Sequence, residues 1–153
     1  MAEDEQKFEI QKIFIKDLSF EAPNSPDIFR DQWKPKTDIH IGAQNTKLND
    51  DNYEVTLSVT VTAKQDDKTA FLVELKQSGV FLIRNFPKEQ LNQLLGSYCP
   101  HTLFPFAREA VSDFISKGGF PPMLLTPVNF DALYAQQMAK LKEQQPTEQD
   151  IKH

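Results

Sequence analysis

The sequence predicts an α+β domain: a four-stranded antiparallel sheet followed by a long helix and a C-terminal helix. Three observations carry this. Apolar residues recur at a spacing of two as far as Val80, and at spacings of three and four from Leu91 onward. Short polar clusters separate the early runs. At 153 residues the chain suits one domain. Residues 1–142 read as that domain, and 143–153, rich in Gln, Glu, Thr and Asp, as a disordered polar tail.

The first strand is expected over Lys7 to Glu21. Its apolar positions are even at Phe8 and Ile10, doubled through Ile13, Phe14 and Ile15, and even again at Leu18 and Phe20, which implies a bulge or a stretch buried on both faces. Ala22-Pro23-Asn24-Ser25-Pro26-Asp27 ends it, and Phe29 and Trp33 follow in a connection that also holds Pro35. A second strand spans Thr37 to Gln44, with Ile39 and Ile41 on one face. From Tyr53 to Thr62 the alternation is strict, with β-branched residues on both faces. Gln65-Asp66-Asp67-Lys68 turns the chain into a fourth strand over Thr69 to Val80, completing a meander or a simple relative of one.

Beyond it, Leu91, Leu94, Leu95 and Tyr98 form a short helical stripe that Gly96 and Pro100 should interrupt. Leu103, Phe104, Ala107, Ala110, Val111, Phe114 and Ile115 define the long helix, which Gly118-Gly119 should stop. Asn129 can cap a last helix bearing Phe130, Leu133, Tyr134, Met138 and Leu141.

Charge narrows the function. Of 22 acids and 17 bases, residues 22–142 hold 13 of each, so the surplus of negative charge lies at the ends. A neutral body gives no cationic footprint for nucleic acid, and acidic ends would be repelled by an anionic membrane. No apolar run approaches the roughly 20 residues that span a bilayer, and the acidic start lacks the pattern of a secretory signal. A cytoplasmic location is expected, and one cysteine suits a reducing compartment.

Catalytic patterns are missing. His40, His101 and His153 have no partner at metal-ligand spacing, and the five glycines form no phosphate-cradling loop, so neither metal nor cofactor is expected. A thiol enzyme using Cys99 is the enzymatic alternative, although a lone Cys among apolar helix residues is better explained as packing. A binding protein is the better reading.

Five blocks in order carry a more specific message. They are Lys16-Asp17-Leu18-Ser19-Phe20-Glu21-Ala22-Pro23-Asn24; Tyr53-Glu54-Val55 with Val59-Thr60-Val61-Thr62-Ala63; Leu95-Gly96-Ser97-Tyr98-Cys99-Pro100; Leu103 to Glu109; and Pro127 to Leu133. Together they resemble the SecB family of bacterial protein-export chaperones over about residues 8 to 135.

That resemblance implies a SecB-like fold assembled as a homotetramer, a dimer of dimers. It implies an ATP-independent chaperone that binds unfolded precursor proteins and delivers them to the translocation ATPase SecA. For clients it points to Phe29, Trp33, Ile39, Ile41, Phe130, Leu133, Tyr134, Met138 and Leu141. For SecA it points to Asp17, Glu21, Leu72 and Glu74 on the outward face of the sheet. Family members also touch SecA through a C-terminal tail, but the tail here includes Lys152 and is not uniformly acidic. A SecB-like chaperone dedicated to one antitoxin is the alternative within the same resemblance.

Overall fold

The computed structural model describes residues 5–144. β1 (Lys7–Glu21), β2 (Lys36–Lys47), β3 (Asn52–Gln65) and β4 (Lys68–Arg84) form one antiparallel sheet in the order β1-β4-β3-β2. β2, β3 and β4 make a meander, and β1 adds beside β4. Residues 22–35 must therefore cross from one edge of the sheet to the other. This crossover contains a short 3-10 turn, Asp27–Arg30, that buries Ile28. Its ends are tied by side chains: Asn24 Nδ2 donates to Thr69 O at 2.9 Å, and Gln65 Oε1 accepts from Lys34 N–H at 2.8 Å.

β1 resolves its irregular pattern with two bulges. Gln11 and Lys16 each lack a partner on β4, so the strand changes phase twice. The register then places Phe8, Ile10, Ile13, Ile15, Leu18 and Phe20 all on the side of the sheet that bears the helices. Phe14 is left on the open face. The carbonyl of Phe14, beside the second bulge, accepts from Nε2 of Gln77, a residue buried on β4, at 3.0 Å. β4 runs four residues past the expected Val80, because Phe81 and Ile83 continue the buried alternation. Asp66 and Asp67, both at positive φ, close the hairpin before it.

The helical half corrects a second expectation. Gly96 and Pro100 do not break the path. α1 (Lys88–Gln93) leads into one π turn, Leu94–Tyr98, and directly on to α2 (Cys99–Lys117). In that wide turn the Cys99 N–H bonds to Leu94 O, and Pro100, which has no N–H to donate, follows directly upon it. α2 packs Leu103, Ala107, Val111 and Ile115 onto β3 and β4. It ends as Gly118 and Gly119 predict: Gly119 sits at φ +90°, its N–H reaches Ser116 O, and Phe120 N–H reaches Ile115 O.

An extended segment then leads to α3 (Phe130–Gln144), burying Phe120 and Leu125. The Asn129 side chain caps α3 as expected, accepting from Ala132 N–H at 3.0 Å. Because the helix reaches Gln144, the first two residues of the expected tail are helical. The remainder, 145–153, lies outside the described residues.

Candidate functional site

Two surfaces lie back to back across the sheet. Val73, Leu75 and Gln77 of β4 are buried on the side of α2, so the alternate residues Leu72, Glu74 and Lys76 point out of the open face. The register sets Glu21 opposite Leu72, Ser19 opposite Glu74 and Asp17 opposite Lys76. The four residues marked by the resemblance, Asp17, Glu21, Leu72 and Glu74, therefore share one face of two neighbouring strands. Asp17 and Glu21 are the diagonal neighbours of Glu74, about 7 Å away. Lys76 offsets the charge at the Asp17 end. The row through Glu21 continues across Leu72 and Thr62 to Asp38 of β2, so it stays acidic at both ends. All three carboxylates of the patch are exposed and the half-buried Leu72 lies beside Glu21 and Glu74, a combination able to attract a cation and to rest an apolar group.

The other surface follows edge strand β2. Ile39, Ile41, Ala43 and Asn45 form a row on its helix side, since they pair with the buried Val61, Val59, Leu57 and Val55 of β3. Ile39 is 40% exposed and Ile41 half-buried. At one end Trp33 stacks near Phe71 and Phe120, with centroids 6.4 and 5.2 Å away, and Phe29 lies 5.1 Å from Phe120. Phe29 is exposed and Trp33 half-buried, so the aromatic end has an open rim and a fixed floor. At the other end Tyr134, Met138 and Leu141 of α3 face Ala43 and Asn45 across a cleft of about 220 Å³. Leu141 is 52% exposed. A larger cleft, about 590 Å³, is lined by charged residues and threonines, Lys36, Asp38, Lys64 and Asp66 among them, and by no aliphatic or aromatic residue.

Phe130 departs from the expected client-facing set. It is 3% exposed and meets Phe104 edge-on at 5.8 Å, so it anchors α3 in the core. Leu133 is half-buried against that core. Sequence reasoning missed Ala43, Asn45 and Leu95 in the cleft. Only the continued alternation beyond Ile41 signals the first two, and their small or polar side chains mask it.

Cys99 is fully buried, and burial pushes its thiol from 9.0 up to about 12. A thiol held protonated is no nucleophile. Between pH 9 and 12 the unfolded chain loses this proton and the folded one keeps it, so stability falls as pH rises, by about 1.4 kcal/mol per pH unit from this group. Urea unfolding at pH 8, 9.5 and 10.5 should show a steeper decline for the native chain than for Cys99→Ala. Equal slopes would mean that the thiol ionises in the fold. Among the described residues no group of three or more His, Cys, Asp or Glu could hold a metal ion, and no helix is long and apolar enough to cross a membrane.

Comparison with known proteins gives the family from two directions and the fold from a third. The family model described as preprotein translocase subunit SecB matches residues 1–141. The chain is 54% identical over 140 residues to the protein-export protein SecB of Methylococcus capsulatus, covering 92% of this chain and 90% of that one. It is 58% identical over 133 residues to that of Nitrosococcus oceani, covering 86% and 81%. Among solved structures, a SecB-like chaperone of Mycobacterium tuberculosis, in complex with an antitoxin peptide, shares the fold at a TM-score of 0.65 and 15% identity, over 79% of this chain and 90% of that one. With the family model matching residues 1–141 and relatives more than half identical over most of their length, the chain belongs to the SecB family of protein-export chaperones.

Proposed function

We propose that the protein works in the cytoplasm as an ATP-independent holdase, a homotetramer that keeps precursor proteins unfolded in the groove along β2 and α3 and docks SecA on the open face. The observation that carries this is the separation of the two surfaces by a single sheet. Exposed apolar side chains line one side and a carboxylate patch the other, so a client and the ATPase can be held at once. Apolar burial is non-directional, at about 25 cal/mol per Å², and therefore accepts many sequences. A folded client hides the segments it would need, which limits binding to unfolded chains. The relatives named for protein export favour this over service to a single antitoxin.

Light scattering tests the holding activity. One tetramer per unfolded client should suppress most aggregation, without nucleotide. Aggregation at the rate of the client alone would overturn the proposal.

Assembly is supported by a second apolar set. Ile10 and Ile15 on edge strand β1, with Tyr98 and Phe106 along the helical path, are each about half exposed. Isolated surface hydrophobics need no explanation, but Ile10 and Ile15 lie on an unpaired edge strand and Tyr98 packs edge-on against Phe8 of the same strand, where a second copy could add. Native mass spectrometry should give a tetramer for the native chain and mainly a dimer for Phe106→Asp, because a carboxylate cannot be buried there unpaired. A native monomer would remove the avidity that multiple grooves supply.

A further inference from the structure

The π turn at Leu94–Tyr98 inserts one residue into the helical path, an arrangement that recurs at functional sites. Its position coincides with the seat of α3. Ser97, 4% exposed, donates its hydroxyl to Asp131 Oδ1, and Gln93 Nε2 donates to the same oxygen at 3.1 Å. Gly96 receives the ring of Tyr134, and a Cβ there would collide with Cδ2 and Cε2 of that ring. Meanwhile Leu95, Cys99 and Leu103 remain in the core. From Ala135 to Glu143 every side chain of α3 is exposed. The helix is thus fastened at its first turn and a half, while Met138 and Leu141, which wall the groove, lie beyond the fastening.

A rod fixed at one end sets the gap at the other. Leu141 lies ten residues past Asp131, about 15 Å along the axis, so a tilt of about 10° at the seat moves it by 2–3 Å. That shift is enough to lose van der Waals contact across a cleft. We propose that Gly96, Ser97 and Asp131 are positioning residues. Through the angle of α3 over β2 they set the width of the client groove, and hence how long a bound chain resides. The proposal rests on the groove as the client site, and its test reads the two separately.

The probe is reduced, carboxymethylated lactalbumin, bound to the full-length assembled protein. In the native protein the probe should slow hydrogen exchange at residues 134–141. An unchanged exchange pattern would remove the groove as client site and this proposal with it. Given that protection, Gly96→Ala should bind the probe at least fivefold more weakly, through faster dissociation at an unchanged association rate. Ser97→Ala and Asp131→Leu should do the same, which keeps the test open if Gly96→Ala folds poorly. Asp131→Asn retains the accepting oxygen and should stay within twofold of native. Tetramer mass and exchange in β3 and β4 should not change in any variant. Native dissociation rates in Gly96→Ala, Ser97→Ala and Asp131→Leu, or equal losses in Asp131→Asn and Asp131→Leu, would overturn the assignment.

Discussion

Glu74→Lys should weaken SecA binding at least tenfold and leave client holding intact. Glu74 stands between the diagonals of Asp17 and Glu21 on the open face, with Lys76 two residues along its own strand. Asp17, Glu21, Glu74 and Lys76 together carry a net charge of −2, and the substitution brings that to zero. A tenfold loss corresponds to about 1.4 kcal/mol, which one reversed charge in an exposed cluster can supply. The side chain is exposed, so the cost to folding should stay within about 0.5 kcal/mol. Calorimetric titration at two ionic strengths gives the decisive readout. Native affinity should fall with salt and that of the variant should barely change, because screening acts on the attraction that has been removed. Unchanged affinity would move the docking surface elsewhere, and parallel loss of client holding would identify a folding defect.

Phe71→Ala should destabilise the protein by about 3–5 kcal/mol. Phe71 is 1% exposed and joins the sheet to everything laid over that end of it. Its ring lies 6.2 Å from Phe20 of β1, 6.4 Å from Trp33 of the crossover and 5.1 Å from Phe120 beyond α2. Removal leaves a cavity bordered by three rings that cannot all collapse into it. The thermal midpoint should drop by about 10 °C at fixed protein concentration. Trp33 makes the result specific. Its fluorescence should shift to the red in the folded variant, because the floor of the aromatic end of the groove has gone. A loss of stability below about 1 kcal/mol would show that the cluster repacks and that Trp33 does not depend on it.

Much of the architecture was legible because it is written in local periodicity. The strict alternation from Tyr53 to Thr62 could only be a strand with one face covered, and Gly118-Gly119 could only end a helix. The π turn was not legible, since Gly96 and Pro100 are breakers by their own chemistry and are tolerated only because a wider turn accommodates both. The four strands were visible, but their order was not. Nothing local says that β1 pairs with β4, because that pairing depends on a crossover held by Asn24 and Gln65 to distant backbone. Of the open-face set, no composition argument would have selected Asp17, Glu21 and Glu74 from 22 acids. Resemblance named them, and register shows that they share a face. Phe130 was misplaced for a related reason: periodicity identifies the apolar side of α3 but not the point at which that side leaves the core.

The two bulges of β1 also bear on how its length can vary. At Gln11 and at Lys16 the strand holds one residue more than β4 opposite it. Deleting either residue would straighten the ladder and leave Phe8 and Ile10, or Ile13 and Ile15, on the side they already occupy. Deleting a residue from the unbulged stretch between Asp17 and Glu21 would turn part of the strand inside out. Length differences among relatives in this strand should therefore collect at those two positions, where a gain or loss of one residue is absorbed without exchanging the two faces.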